Sequence, residues 1–367
     1  MGIFDIATEM GHDQVVFCHD PSTGLKAIIA IHDTTLGPAL GGSRFWNYSS
    51  EEDAILDVLR LSQGMTYKAA VAGLNLGGGK SVIIGDPEQL KSEAFFRSFG
   101  RFVHSLGGRY ITAEDVNITV DDMEFVAMET PYFTGIASRP GGSGDPSPIT
   151  ALGVFSGLQA AVAYKLRKDN LKGLTVAVQG VGHVGSYLCQ YLHEAGAKLI
   201  VADISEERVA DMSKKYGAKV VDVNEIHAVQ ADVFAPCALG AILNTETIPQ
   251  IKAAVIAGGA NNQLQDDDVH GKQLRDREIL YSPDYVINAG GLINVYHELI
   301  GYNAEAAKKQ ACGIYHTMME VFRTADRDGV PTHVASDRVA EKRLQTVRKI
   351  TAHNNTYDNQ PWNKFRR

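Results

Sequence analysis

The stretch Thr175-Val-Ala-Val-Gln-Gly180-Val-Gly182-His-Val-Gly185 decides the fold, because a β-branched segment leads through spaced glycines into an amphipathic helix. The pattern G-x-G-x-x-G is typical of βαβ units that bind dinucleotides. Gly180 allows a tight turn, Gly182 lets the backbone approach a diphosphate, and Gly185 lets the helix pack closely on the strand. The helix N-terminus presents unpaired N–H groups to that diphosphate. The stretch therefore predicts a βαβ unit with a dinucleotide site.

An acidic residue stands at the position that selects the cofactor. A second predicted strand, Leu199-Ile-Val-Ala, leads to Asp203, roughly 20 residues after the first glycine of the fingerprint. A carboxylate there accepts hydrogen bonds from the ribose hydroxyls of adenosine and repels a 2′-phosphate, so we predict NAD rather than NADP. We interpret His183 as a solvent-facing helix residue rather than a catalyst. The cofactor-binding residues predicted from this unit are Gly180, Val181, Gly182, His183, Val184, Gly185 and Asp203.

The rest of the chain predicts an α/β protein. Around the fingerprint, strands and helices alternate, which predicts a parallel sheet with helices on both faces. Strands are predicted there at residues 175–179, 198–202, 219–221, 233–235, 255–257 and 285–287. After Gly291 the pattern is helical, with a long segment at 303–327 and another at 332–348. Nearer the N-terminus we predict strands at 14–18, 26–32 and 108–115, helices at 51–65 and 92–106, and a glycine-rich turn that begins at Gly73 and runs into a strand at Ser81.

Residues 138–148, Ser-Arg-Pro-Gly-Gly-Ser-Gly-Asp-Pro-Ser-Pro, are dense in turn-forming residues and predict a hinge between two domains. A helix is predicted after the hinge, at 150–164. Thr150 either caps this helix or turns its hydroxyl to a ligand. The polar residues 354–367 are predicted to be a frayed end.

Composition and charge narrow the classes of function. The 367 residues are 44% apolar and 21% charged, as in ordinary globular proteins, and the formal charge of −8 argues against a nucleic-acid partner. No apolar run approaches the ~20 residues of a membrane span. The N-terminus lacks the pattern of a secretory signal, so we predict a cytoplasmic protein with no membrane partner. The four cysteines stand far apart, and no metal site is predicted.

A second glycine-rich segment carries a lysine. Lys80 follows Gly77-Gly-Gly and precedes a serine, so this segment nearly matches the phosphate-binding motif G-x-x-x-x-G-K-[ST]. The match fails because Leu74 occupies the position of the first glycine. We therefore reject a nucleotide triphosphatase. Lys80 and Lys68, with the carboxylate of Asp115, instead suggest a cleft that binds the carboxylate of an amino acid and handles a proton, where burial and a neighbouring charge lower one lysine pKa. The alternative is that these lysines are solvated, and the residues alone leave both open.

Several long motifs occur in order between Gln14 and Leu344. They are Ile31-His-Asp-Thr-Thr-Leu-Gly-Pro-Ala-Leu-Gly-Gly42, Gly64-Met-Thr-Tyr-Lys68, Gly77-Gly-Gly-Lys80, Thr112-Ala-Glu-Asp115, Ala235-Pro-Cys-Ala-Leu-Gly240, Ala260-Asn-Asn-Gln263 and Asp284-Tyr-Val-Ile-Asn-Ala-Gly-Gly291. With these motifs the chain resembles the glutamate/leucine/phenylalanine/valine dehydrogenase superfamily, and within it the leucine-type members. The resemblance implies reversible, NAD-dependent oxidative deamination of an L-amino acid to a 2-oxo acid and ammonia, by a homo-octamer.

The resemblance also implies roles for individual residues. Lys68 binds the substrate carboxylate, Lys80 acts on the attacking water or the imine, and Asp115 relays protons and holds the amino group. The further substrate-binding residues that it implies are Leu40, Gly41, Gly42, Ala113, Asn262, Leu292 and Val295. The further cofactor-binding residues that it implies are Thr150, Ala238, Asn261 and Asn288.

The implied side-chain pocket is apolar, because Leu40, Ala113, Leu292 and Val295 would wrap the substrate. Burying a glutamate side chain there without a partner would cost several kcal/mol, so leucine, valine or isoleucine fits better. Two residues differ from the usual leucine-type pattern: Asn117 stands where those chains usually have glycine, and Gly77-Gly-Gly-Lys80 has a third glycine often seen in phenylalanine- and tryptophan-type relatives. An aromatic substrate, phenylalanine or tryptophan, is therefore the alternative. A non-catalytic NAD-binding sensor is a remote alternative, since Lys80 and Asp115 are both present.

The resemblance completes the expected domain organisation. We expect two domains with a cleft between them. Residues 1–140 would form an N-terminal α/β domain for substrate binding and oligomerisation, onto which a C-terminal helix at about 331–350 packs back. Residues 150–330 would form a Rossmann-type NAD-binding domain.

Overall fold

The computed structural model describes residues 2–135, 142–238 and 240–353. The chain divides into two compact units. The N-terminal unit consists of Met1–Gly144, Val295–Tyr302 and Ala340–Arg367, and the dinucleotide unit consists of Asp145–Asn294 and Asn303–Val339. Part of the predicted hinge, residues 136–141, and the predicted frayed end at 354–367 lie outside the described residues.

The N-terminal unit is built on a mixed sheet in the order β1-β2-β4-β3-β5. β2 pairs antiparallel with β1 and β4, whereas β3 pairs parallel with β4 and β5. The strands are β1 Gln14–Asp20, β2 Leu25–Asp33, β3 Ala39–Trp46, β4 Gly77–Ile84 and β5 Tyr110–Glu114. The helices in this part of the chain are α1 Ile3–Glu9, α2 Glu51–Val71, α3 Pro87–Leu90, α4 Glu93–Ser105 and α5 Val120–Ala127.

Both faces of this sheet are covered, because alternate side chains of each strand point to opposite sides. On one face Ile28 and Val82 pack against Val58 and Leu59 of α2. On the other face an aromatic cluster joins the sheet to α4 and α5; its largest members are Phe45, Phe95, Phe96, Phe99 and Tyr110. The sheet is therefore a rigid, two-sided core.

Two expectations about this unit are wrong. Strand β3 was not predicted, since its glycines and its serine weaken the strand pattern. The segment Gly77–Gly79, expected to lie in a turn, belongs to the central strand β4 and is fully buried. These residues are glycines because neighbouring atoms fill the space that a side chain would need: backbone atoms at Gly77 and Gly78, and the ring of Tyr110 at Gly79. A Cβ at Gly78 would lie 2.1 Å from the backbone nitrogen of Thr66 in α2.

The dinucleotide unit contains a parallel sheet in the order β11-β10-β9-β6-β7-β8, which confirms the predicted parallel α/β architecture. Its strands are β6 Thr175–Gln179, β7 Lys198–Ala202, β8 Lys219–Val220, β9 Val233–Pro236, β10 Val255–Ile256 and β11 Leu280–Tyr281. The α-helices after the hinge are α6 Ser147–Leu166, α7 His183–Glu194, α8 Glu206–Tyr216, α9 Asp267–Asp276, α10 Asp284–Ile287, α11 Gly290–Leu299, α12 Ala304–Cys312, α13 Ile314–Asp328 and α14 Thr332–His353. Two short 3-10 helices are Ile226–Ala228 and Ile248–Gln250.

Three local predictions are wrong in this part of the chain. Residues 285–287 form part of α10, and the edge strand is β11 instead, because a short apolar run does not distinguish a strand from a buried helix. The single helix expected at 303–327 is two helices that meet at Gly313. Helix α6 begins at Ser147, so Thr150 is inside it rather than at its cap, and its hydroxyl donates to the carbonyl of Pro146 at 3.0 Å.

Helix α6 is also, by length and composition, the one described helix that would suit a membrane span. More than half of that apolar window, 56%, is buried within the protein. Burial of this kind is what the core helix of a folded domain shows, so its apolar composition is explained by packing.

We predict opposite effects on stability for two glycine substitutions in the N-terminal unit. Gly78→Ala should lower the free energy of unfolding by about 2–3 kcal/mol, because the new Cβ would press α2 away from β4. Gly64→Ala should raise it by about 0.5–1 kcal/mol, since Gly64 lies inside α2 and no described heavy atom outside the local helix approaches its Cβ position within 4 Å. Urea denaturation of both variants measures these changes, and equal effects would contradict this account of the sheet.

Candidate active site

A lysine–aspartate ion pair joins strand β4 of the N-terminal unit to the residue that follows β5. The Nζ of Lys80 on β4 donates to Oδ2 of Asp115, which directly follows β5, at 2.6 Å. Lys80 is only 7% exposed, and about a quarter of the Asp115 side chain is exposed. The structure therefore brings together two of the three charged residues predicted to act on a substrate.

Glycines in the intervening strand make this contact possible, because β3 lies between β4 and β5. The register pairs Leu40 with Gly78 and Ser43 with Ser81, which sets Gly41 and Gly42 beside Gly79 and Lys80. A Cβ on Gly42 would stand 2.9 Å from the Cβ of Asp115 and 2.5 Å from the carbonyl oxygen of Glu114. The predicted pocket residues Gly41 and Gly42 thus form a floor without side chains.

Charged residues that the sequence did not single out extend the pair. Arg44 on β3 places its Nε 3.5 Å from Oδ2 of Asp115, and its Nη1 donates to Asp57 of α2 at 3.0 Å. The hydroxyl of Tyr48 also donates to Asp57, at 2.6 Å. Arg44 stands two residues after Gly42 and hence on the same face of β3, which is the one signal in the sequence that would have suggested it.

Burial and charge shift the pKa values of the pair. Burial is the largest effect on Lys80 and lowers its pKa from the ordinary 10.5, with Arg44 acting in the same direction and Asp115 opposing it. Burial by itself would raise the pKa of Asp115, but the charge and hydrogen bond of Lys80, together with Arg44, hold it below its ordinary value. The site thus combines an ionised carboxylate with an amine that releases its proton more readily than usual.

Lys68, the third predicted residue, is half-buried on α2. Met65 lies one helical turn before it, and the Cγ of Met65 is 3.4 Å from the Cβ position of Gly41. Because residues three apart share a helix face, Lys68 is on the side of α2 that meets the glycine floor. The predicted pocket residues Leu40 and Ala113 belong to β3 and β5 of the same sheet, at positions adjoining Gly41 and Thr112.

The C-terminal helix α14 holds the end of α2 that carries Lys68. Nη1 of Arg343 donates to the carbonyl of Ala70 at 2.9 Å, and Nη2 donates to Oδ1 of Asn75 at 3.2 Å. Tyr67 donates to Glu341 of α14 at 3.1 Å. A guanidinium at the last carbonyls of a helix satisfies acceptors that have no partner within the helix.

In the dinucleotide unit the fingerprint glycines provide the tight turn, the close helix–strand packing and the open backbone that a bound diphosphate requires. Gly180 has φ +86°, and a Cβ there would lie 2.7 Å from the Cβ of Ala238. A Cβ on Gly185 would lie 2.0 Å from the carbonyl oxygen of Gly180. Gly182 caps α7, and the one described atom within 4 Å of its Cβ position belongs to Arg208. His183, the first residue of α7, is exposed.

The carboxylate of Asp203 contacts the fingerprint loop itself. Oδ2 accepts a hydrogen bond from the backbone N–H of Val181 at 2.8 Å, and Oδ1 accepts one from Ser205 at 2.9 Å. The Asp203 side chain is only 7% exposed, and Nη1 of Arg208 lies 3.9 Å from its Oδ1. Sequence reasoning missed Arg208, although its place in the first turn of the helix after Asp203 was a signal.

The remaining predicted cofactor residues form small groups within the same unit. Nδ2 of Asn288 donates to Oδ1 of Asn261 at 2.6 Å. The hydroxyl of Thr150 lies 3.0 Å from the Cβ position of Gly291.

Three further predicted substrate-binding residues are divided between the two units. Asn262 is exposed and has φ +50°. Of the predicted substrate residues, Asn262 and the buried Leu292 belong to this unit, whereas Val295 belongs to the N-terminal unit.

Comparison with protein families gives two matches that together span most of the chain. A family model described as Glu/Leu/Phe/Val dehydrogenase, dimerisation domain matches residues 12–132. A second, described as Glutamate/Leucine/Phenylalanine/Valine dehydrogenase, matches residues 141–205 and 201–349.

Individual relatives agree with these matches. The chain is 58% identical to leucine dehydrogenase of Geobacillus stearothermophilus over 349 residues, which cover 95% of each chain. It is 49% identical to valine dehydrogenase of Streptomyces virginiae, with 92% of this chain and 95% of the relative covered. The crystal structure of L-tryptophan dehydrogenase from Nostoc punctiforme is similar at 50% identity with a TM-score of 0.88, covering 95% of this chain and 100% of the other.

We predict that Asp115→Asn lowers the pKa of Lys80 further. The carboxylate of Asp115 is the largest influence that raises this pKa, so its removal should leave burial and Arg44 to favour the neutral amine. Lys80 should then lose its proton at a lower pH than in the unsubstituted protein. The measurement is the rate of labelling of Lys80 by an amine-reactive anhydride as a function of pH, read by mass spectrometry.

Asp57→Asn is the matched control, because Asp57 also raises the pKa of Lys80 but has a smaller effect. Its labelling curve should move in the same direction by less. A curve for Asp115→Asn that stays in place or moves to higher pH would refute the electrostatic account of the pair.

Proposed function

The chain belongs to the Glu/Leu/Phe/Val dehydrogenase family, and from this premise we propose that it catalyses the reversible oxidative deamination of branched-chain L-amino acids, with leucine preferred and valine and isoleucine accepted. The observation that carries the proposal is the ion pair between the buried Lys80 and the partly exposed Asp115 in a chain so similar to leucine dehydrogenases. The prediction of an amino-acid dehydrogenase made from the sequence motifs is confirmed by the family and by these relatives.

The family uses a pyridine nucleotide, and we propose NAD for this chain. The fingerprint supports it: the backbone fills the space of a side chain at Gly180 and Gly185 and leaves Gly182 open at the helix N-terminus. Asp203 would receive the ribose hydroxyls, and Ala238, Asn261, Asn288 and Thr150 stay predicted neighbours of the cofactor. When bound, the nicotinamide supplies the hydride acceptor for the α-hydrogen of the substrate.

The chain's own residues would handle binding and protons. We propose that Lys68 pairs with the substrate carboxylate and that the ionised Asp115 holds the amino group. Asp115 relays one proton from the substrate ammonium to water, so that the α-hydrogen leaves as hydride from a carbon that bears a neutral amine. Lys80 in its neutral form then takes a proton from water, and the water oxygen adds to the iminium carbon. The carbinolamine loses ammonia, which takes up the proton held by Lys80, and the 2-oxo acid remains. Amino acid, NAD⁺ and water thus become 2-oxo acid, ammonium, NADH and a proton.

Burial of Lys80 has two consequences for this chemistry. A lowered pKa gives more of the neutral amine near neutral pH, which a general base requires. After it takes a proton, Lys80 is an ammonium held by Asp115 in a site of low dielectric, where it stabilises negative charge that develops on oxygen. Arg44 also lowers the pKa of Asp115, although less than Lys80 does, and its charge does not depend on the protonation state of Lys80.

The residues that suggested an aromatic substrate have structural roles instead. Asn117 has φ +58°, a left-handed conformation for which asparagine is better suited than most residues, and its amide donates to the carbonyl of Phe45 at 3.0 Å. The glycines before Lys80 are required by close packing, at Gly78 against α2 and at Gly79 against the ring of Tyr110. Neither Asn117 nor these glycines therefore supports a larger pocket for an aromatic substrate. The apolar residues Leu40 and Ala113 still favour an aliphatic side chain.

The dimerisation-domain match supports an oligomer, and we propose the homo-octamer that the resemblance implies. Sedimentation equilibrium tests this directly. The cytoplasmic location and the substrate roles of Leu292, Val295 and Asn262 stay predictions.

We predict an ordered preference among substrates. kcat/KM should be highest for L-leucine, and L-valine should be lower by roughly 10-fold, since it lacks one methylene and a methylene in an apolar pocket is worth about 1–3 kcal/mol. L-Isoleucine has as many carbons as L-leucine but branches at Cβ, so its kcat/KM should be lower because of shape rather than size. L-Glutamate should be almost inactive, because its carboxylate would be desolvated without a partner. Initial rates of NAD reduction measure this order. A higher kcat/KM for L-phenylalanine or L-tryptophan would establish the aromatic alternative.

We predict that Lys80→Ala retains dinucleotide binding but loses turnover by about 10²–10⁴-fold, the usual contribution of a general base. Binding is measured by NADH fluorescence and turnover with L-leucine. Lys26→Ala is the control, because Lys26 is an exposed lysine of the same sheet, paired with Glu51 on the surface. Near-normal turnover of Lys80→Ala would contradict its role, and would favour a different base.

A further inference from the structure

Arg208 stands between the two features that select the cofactor. It is the third residue of α8, and its Nη1 lies 3.9 Å from Oδ1 of Asp203 and 3.8 Å from the Cβ position of Gly182. Gly182 marks where a diphosphate approaches the backbone, and Asp203 marks where the adenosine ribose is bound. The guanidinium therefore lies beside the ribose position.

Asp203 is less able to repel an anion than the sequence suggests. Both of its oxygens accept backbone N–H groups, from Val181 and Ser205, and its side chain is almost buried. The guanidinium of Arg208 compensates its charge from under 4 Å. A second anion at this place would meet a nearly neutral pair rather than an isolated carboxylate.

Arg208 has donors to spare for such an anion. Its side chain is 54% exposed, and among the described residues it makes no hydrogen bond through its guanidinium. At 3.9 Å the contact with Asp203 is longer than a hydrogen bond, so the N–H groups of the guanidinium are available to another acceptor. Arginine binds phosphate oxygens through two parallel donors, and an arginine near the acidic position is how βαβ units accommodate a 2′-phosphate.

We propose that Arg208 is a specificity-determining residue that binds the 2′-phosphate of NADP, so that this site accepts NADP as a second cofactor beside NAD. The proposal rests on the proposed function, because it requires that the fingerprint bind a dinucleotide. Arg208 would turn from Asp203 toward the phosphate, and Asp203 would keep its two backbone donors. NAD would lack that contact and depend on Asp203 alone.

The experiment measures binding, without turnover, on the full-length protein. Kd values for NADH and NADPH are obtained from nucleotide fluorescence for the unsubstituted protein, Arg208→Gln and Lys215→Gln. Lys215 is the matched control, since it is on the same helix but pairs with Asp211 on the surface. We expect NADPH to bind to the unsubstituted protein within about 100-fold of NADH. Arg208→Gln should weaken NADPH at least 10-fold and NADH less than 3-fold, and Lys215→Gln should change neither.

Salt provides a second readout of the same contact. The Kd of NADPH should rise more steeply with NaCl concentration than that of NADH in the unsubstituted protein, and this difference should shrink in Arg208→Gln. A structural role for Arg208 would not produce that difference, because loss of folding would weaken both nucleotides alike.

The outcomes separate this inference from the proposed function. If NADH binds while NADPH does not bind at all, or if Arg208→Gln weakens both nucleotides equally, the assignment of Arg208 is overturned and the proposed dehydrogenase function stands. If neither nucleotide binds, the proposed function is overturned together with the inference. Selective loss of NADPH in Arg208→Gln supports it.

Discussion

The close approach of three strands in the N-terminal unit governs the site, because the 2.6 Å bond between Lys80 and Asp115 joins two strands that are not neighbours. β3 lies between them and must contribute no side chain at the crossing point. Gly42 meets this requirement, and Gly41 lies so close to β4 that a Cβ there would overlap the carbonyl oxygen of Gly79. Backbone packing and chemistry thus constrain the same positions.

The energetic consequence of this geometry is a charge pair that the fold must stabilise. Taking an ammonium and a carboxylate out of water costs several kcal/mol each, and their attraction offsets this only when other groups satisfy the remaining donors and acceptors. Here Arg44 and Asp57 extend the pair into an alternating series of charges. The series keeps Asp115 ionised while burial lowers the pKa of Lys80, so the carboxylate stays charged and the amine gives up its proton more readily than an ordinary lysine.

Sequence patterns predicted the parts of this protein whose signals are local. The strand Thr175–Gln179, its glycines and Asp203 follow one another along the chain, so the βαβ unit was identified correctly. The existence of β3 and the burial of Gly77–Gly79 depend on which strands are neighbours in the sheet. The strand order is a tertiary property that a local sequence pattern does not predict. Arg44 was missed for the same reason, since its partners Asp57 and Asp115 are brought to it only by the sheet order.

A chain of buried hydroxyls supports the floor of the site from the opposite face of the sheet. Tyr110 donates its single proton to the carbonyl of Gly41 at 2.7 Å, so Ser81, 3.1 Å away, must donate to Tyr110. Ser81 then accepts from Ser43, and Ser43 accepts from Thr112, each at 2.6 Å. Each hydroxyl donates once, and Ser43, Ser81 and Tyr110 each accept from the hydroxyl before them in the chain. Each serine or threonine adjoins a residue of the site along its strand. Since the last acceptor is the Gly41 carbonyl, this chain fixes the orientation of the peptide that the glycine floor requires, and replacement of any member by an apolar residue would leave a buried donor or acceptor without its partner.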